Sequence, residues 1–159
     1  MKKIQTNLII LLGTSLLFAG YSFKPAEKIP APATIAVIVN NENTITALTV
    51  SEAKLYYLRK IKTRWPDINK NIRPVDHKAS CAEQATFYSK VLGMSADEVE
   101  TYFLTKQYQS AQKPQDKFST DREIIEFVSQ EIGAIGYVNI NSLSVTDKTN
   151  VKVVLTVNP

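Results

Sequence analysis

Ile72-Arg73-Pro74-Val75-Asp76-His77-Lys78-Ala79-Ser80-Cys81-Ala82-Glu83-Gln84-Ala85-Thr86-Phe87-Tyr88 is the stretch whose reading decides the fold. Ile72 to Val75 is short, apolar and carries a proline, which suits a strand near a sheet edge. Asp76 to Ala79 is polar and reads as a loop. Ser80, with Glu83 three residues on, has capping-box spacing. Ala82, Ala85 and Tyr88, with Phe87 alongside, then form a helical stripe. A strand therefore feeds a loop, and the loop feeds a helix start. The first N–H groups of a helix have no partner within it and can receive an anion. A capping box by itself implies only a cap, so the anion reading needs support from the rest of the chain.

Upstream, Thr34-Ile35-Ala36-Val37-Ile38-Val39 is a nearly unbroken β-branched run and predicts a buried, central strand. Thr49 and Glu52 open a helix over residues 51–58. Lys54, Arg59, Lys60, Lys62, Arg64, Lys70, Arg73 and Lys78 concentrate positive charge in this part of the chain, as a solvated face or an attractor of anions. Downstream, Gly93 suits a helix C-terminus. Ser95/Glu98 and Thr120/Glu123 repeat the capping spacing before two more helices, and Gln107 to Lys117 reads as a polar loop. Ala134 to Val138 and Val151 to Val157 have strand composition. Strands interleaved with helices predict an α/β fold, a sandwich around a mixed or mostly parallel sheet of four to five strands.

The chain has 159 residues, 44% hydrophobic and 21% charged, as in a globular protein with one domain. Lys2 and Lys3 precede an apolar run from Leu8 to Ala19, too short to span a bilayer comfortably. Residues 1–22 therefore read as a secretory signal peptide, with an uncleaved anchor as the alternative. Residues 23–33, with Pro25, Pro30 and Pro32, read as a flexible leader, and residues 34–159 as the folded unit. The formal charge of +4 less the two lysines of the signal is +2, so the pI of 9.1 overstates the basicity of the exported part. Export and the absence of any nucleic-acid motif argue against a nucleic-acid partner. Cys81 is the single cysteine and excludes an intramolecular disulfide.

Ile35-Ala36-Val37-Ile38-Val39-Asn40, the Thr49 helix, Trp65, Ile72-Arg73-Pro74-Val75, Phe87 and Gly133-Ala134-Ile135-Gly136-Tyr137 follow one another as in a known family. The chain resembles the phosphate-binding substrate-binding proteins of ABC transporters, in particular their short single-domain relatives. The resemblance covers about residues 34–138. It implies a single lobe of the periplasmic-binding-protein type (type 2), a three-layer sandwich, where the full family closes two lobes on its ligand. It also implies a periplasmic location, no enzymatic activity and no cofactor.

In the family an Arg, three intervening residues and Ser-Gly-Thr at a helix start hold the phosphate. Aligned on Ser80, the Arg position holds Asp76, and Gly-Thr becomes Cys81-Ala82. The resemblance thus implies a candidate anion site at Ser80, Cys81 and Ala82, with Lys78, Arg73 and Asp76 as secondary candidates. The bidentate guanidinium is lost. Two readings follow: an exported solute-binding protein with weak or partner-dependent phosphate binding, or an envelope interaction module that keeps the fold without the ligand site. A second lobe supplied by another protein or by a second copy belongs to either reading. A thiol enzyme is the outlying alternative, because a lone Cys81–His77 proximity in sequence is not a catalytic arrangement. One histidine and one cysteine are likewise too few for a zinc site.

Overall fold

The structure, a computed structural model, describes residues 33–60, 63–113 and 115–159. The stretch expected to be a signal peptide, and all but the last residue of the expected leader, lie outside these. β1 (Ile35–Asn40) is buried along its whole length, as its β-branched composition requires. It pairs antiparallel with β4 (Ala134–Asn139) on one side and with β5 (Val151–Val157) on the other, with an irregularity at Val37/Ile38. β2 (Arg73–His77) pairs in parallel with β4 and with β3 (Asp116–Phe118). The order is β3-β2-β4-β1-β5. Four strands share one direction and β1 runs against them, so the sheet is mixed and mostly parallel, as expected.

Strand alternation sends successive residues to opposite faces. Ile35, Val37, Val39, Ile135 and Tyr137 face a layer made of α1 (Val50–Tyr57), α2 (Ala82–Thr86) with the π-helical turn Phe87–Leu92 that continues it, and α3 (Ala96–Ser110). Ala36, Ile38, Val75, Ala134 and Val138 face α4 (Asp121–Gln130) through Ile124, Ile125 and Val128. The result is a three-layer α/β sandwich.

The caps act locally. Thr49 and Glu52 form a reciprocal capping box, as do Ser95 and Glu98. Thr120 Oγ1 accepts from Glu123 N at 3.2 Å, while the Glu123 carboxylate accepts from Ser119 N. Gly93 ends the π-helical turn at φ +59°, where a side chain would be strained. Gly133 has a different task. Its carbonyl accepts from Trp65 Nε1 and from Arg73 N, both at 2.9 Å, and a Cβ there would lie 2.2 Å from the Asn71 carbonyl oxygen.

β1 is an interior strand, flanked by β4 and β5, as its apolar run predicts. Three expectations are corrected. α3 runs on to Ser110, four residues into the expected polar loop, because its last turns lie at the surface and need no apolar stripe. β3 falls in that same loop; three residues show no alternation, and the pairing of Val75, Asp76 and His77 with Asp116, Lys117 and Phe118 is what makes it a strand. For the same reason Asp76 and His77 belong to β2 and not to the loop.

Candidate functional site

The carboxyl ends of β2 and β3 and the start of α2 meet at one side of the sheet, where open α/β sheets bind ligands. Because β2 extends through His77, alternation turns Asp76 towards the layer of α1 and the π-helical turn. Its carboxylate is fully buried. Oδ2 accepts from the Tyr88 hydroxyl at 2.6 Å. Oδ1 accepts from the Tyr137 hydroxyl, from His77 N at 2.8 Å and from Gln84 Nε2 at 3.3 Å. All four donors are neutral, so the negative charge is held by hydrogen bonds alone, as burial demands.

The phenols around it stay protonated. Burial first, and then the negative charge of Asp76, push the Tyr88 hydroxyl well above its ordinary range. Tyr57 and Tyr137 are raised for the same leading reason. Tyr57 donates to the Val75 carbonyl at 3.0 Å and accepts from Gln115 Nε2 at 2.9 Å. The Tyr137 ring stacks on Phe87, with centroids 4.1 Å apart and planes 7° from parallel. The hub is therefore rigid: a carboxylate, three phenols and an amide fixed by packing.

Above it lies an open cavity of about 160 Å³, bordered by Lys78, Gln84, Tyr88, Glu100, Gln115 and Lys117. Two lysines against one glutamate leave it mildly cationic. His77 also borders the cavity, and its Nε2 lies 3.5 Å from Asp121 Oδ1.

Of the anion-site candidates read from sequence, only Lys78 lines this cavity. Asp76 lies in the buried hub. Ser80 is exposed and does not cap the helix. The cap is Cys81, whose Sγ accepts from Gln84 N at 3.4 Å. The extra strand residues shift the loop to Lys78–Ser80 and leave Cys81 in the extended conformation that a cap needs. Ala82 is the first helical residue, half-buried. Arg73 lies at the other end of β2, its guanidinium held by Asp116 at 2.9 Å and Glu131 at 2.5 Å and packed on the Phe127 ring. It cannot reach the start of α2.

The helix start is already partly answered by the chain's own acid. Burial raises the Glu83 carboxyl, but hydrogen bonds, first that from Asn139 Nδ2 at 3.0 Å, outweigh it and hold the group below its usual range. The Cys81 thiol is pushed up to about 11 by burial and by Glu83, against the hydrogen bond from Gln84 N. A thiol so raised is not an activated nucleophile. Gln84, Gln115, Lys117 and the three hub tyrosines were not read from sequence as site residues. One signal could have found the tyrosines: a carboxylate next to an apolar strand segment needs donors, and phenols at helix and strand core positions can supply them.

Together, the sheet order and the two helical layers define a single lobe of periplasmic-binding-protein-like fold. Solved structures share it. The chain aligns with a candidate phosphate ABC transporter substrate-binding protein of Clostridium perfringens, solved with phosphate bound, at TM-score 0.58 and 22% identity over 77% of this chain and 45% of that one. It aligns with an ABC-type phosphate transport receptor of Vibrio cholerae at 0.56 and 20%, over 77% and 46%. A candidate phosphate-binding protein of Planctomyces limnophilus gives 0.53 and 17%, over 82% and 47%. The chain thus spans about half the length of the solved chains it matches. No protein-family sequence model matches it, and neither does any curated protein sequence.

Proposed function

We propose that this chain is an exported, periplasmic, single-lobe protein of the phosphate substrate-binding type, non-enzymatic and without a cofactor, that binds phosphate only weakly or with the help of a partner. The observation that carries this is the buried Asp76 carboxylate, held by four donors at the end of β2, where the family resemblance puts a phosphate-binding arginine. A negative charge there opposes a second anion. The remaining attraction comes from Lys78 and Lys117 and from the N–H groups of Ser80, Cys81 and Ala82. A helix terminus contributes about 0.3–1 kcal/mol when exposed and ~2 when partly buried. An exposed ion pair adds about 1 kcal/mol at most. Micromolar affinity needs ~8 kcal/mol.

Calorimetry with inorganic phosphate and the purified chain tests this. The expected result is a Kd of about 1 mM or weaker. Micromolar binding by the monomer would overturn the proposal.

A second reading is favoured by the exposed Leu104, beside Gln115 and Lys117 at this end of the sheet, and by the exposed Tyr108 on the same helix. There the fold serves as an envelope interaction module, with a second copy or another protein on that face. A stable protein partner whose binding ignores phosphate would decide for this reading.

A further inference from the structure

A second cavity, of about 260 Å³, lies at the opposite end of β2, bordered by Arg59, Thr63, Asn71, Arg73, Gln112 and Lys113. Five steps along the extended chain, roughly 16 Å, separate Arg73 from Lys78, so it is distinct from the cavity above the Asp76 hub.

Arg59 sets this cavity apart. Arg73 and Arg122 bind carboxylates, and Arg64 binds Asn69 and Asn71. Among the described residues, Arg59 alone of the arginines has no side-chain acceptor. Its one hydrogen bond is from Nη2 to the Lys113 carbonyl at 2.8 Å. Its Nε is shielded from water without a partner. Burial lowers its pKa, the direction expected of a cation short of a counter-charge. The nearby acid, Asp116, is already taken by Arg73. Arg59 also follows the last turn of α1 at φ +51°, a conformation that favours glycine. Across the cavity Gln112 Oε1 is an acceptor shielded from water with no donor. A half-buried cation lacking an anion thus shares a cavity with an amide oxygen lacking a donor, and each is costly to leave unmade.

We propose that this cavity binds a small carboxylate that also carries a hydroxyl or ammonium group. The carboxylate meets the Arg59 guanidinium, and the donor meets Gln112 Oε1 once that half-buried side chain turns towards the cavity and uncovers the oxygen. Lys113, 71% exposed, adds longer-range attraction. The volume lies just under the range of about 300–1,000 Å³ usual for drug-sized ligands, which fits a small acid.

The test is an NMR titration of the whole folded chain with glycolate, and with acetate, which lacks the hydroxyl. Glycolate should shift resonances of Arg59, Gln112 and Lys113 saturably at about 1 mM, and acetate should bind at least tenfold more weakly. Arg59→Gly suits the backbone at that position, so it should fold, and it should abolish the glycolate shifts. Gln112→Leu should erase the preference for glycolate over acetate. Lys117→Glu, at the other end of the sheet, should change neither. No shift at about 50 mM glycolate, shifts that survive Arg59→Gly, acetate binding as tightly as glycolate, or shifts confined to the Lys78 and Lys117 end would each overturn the proposal.

Discussion

Tyr137→Phe isolates the charge at the centre of the lobe. The ring stays stacked on Phe87, and only the hydroxyl is lost. Asp76 keeps Tyr88 at 2.6 Å, His77 N at 2.8 Å and Gln84 at 3.3 Å, but a fully buried carboxylate loses one of its four donors. A hydrogen bond to a charged group contributes about 1.5–3 kcal/mol, and no water reaches this position to replace it. We expect a loss of about 2 kcal/mol, or a fall in Tm of roughly 5–10 °C for a domain of this size. Tyr88→Phe should cost less, because Tyr88 is 7% exposed and borders the open cavity, so that water can supply the missing donor. The assay is urea unfolding at pH 7, comparing midpoints at constant m. The pair should not add, since the donors share one carboxylate. A cost for Tyr137→Phe below about 0.5 kcal/mol, the scale of a surface substitution, would refute the assignment of Asp76 as a buried charge held by phenols.

Alkaline pH tests the same cluster. Tyr57, Tyr88 and Tyr137 are all raised in the folded state, so above about pH 10 the unfolded chain releases protons that the folded chain keeps. Their contribution is intact below pH 10 and falls above it, by ~1.4 kcal/mol per pH unit for each tyrosine. Unfolding free energies measured from pH 9 to 11 should bend downward near pH 10, and Tyr137→Phe should reduce the slope by one proton; a flat profile contradicts the burial of the phenols. Gly133→Ala places a Cβ against the Asn71 carbonyl and should cost about 3 kcal/mol or more, seen as lost soluble yield or a collapsed urea midpoint. At pH 8 a Cys81 thiol titrating at about 11 is ~0.1% thiolate, so a disulfide reagent should modify the native protein far more slowly than a free cysteine. Cys81→Ser should keep the cap and leave stability unchanged or raised by about 1 kcal/mol, read from the urea midpoint.

By itself, the sequence determined what depends on near neighbours. The capping pairs at Thr49, Ser95 and Thr120 set three helix starts, because a cap is a bond between residues three apart. The β-branched runs set β1 and β5: β1 is buried along its whole length and needs apolar residues throughout, while β5, at the sheet edge, is marked by its valines with Lys152 and Thr156 left partly exposed. Tertiary structure alone decided the site. Whether β2 ends at Val75 or at His77 depends on β3, a three-residue strand that exists only through its pairing. Those two further residues turn Asp76 inward to meet Tyr137, 61 positions away, and move the cap from Ser80 to Cys81. One residue of strand reverses the face a side chain takes, and nothing within a short window of sequence records which partner will extend it.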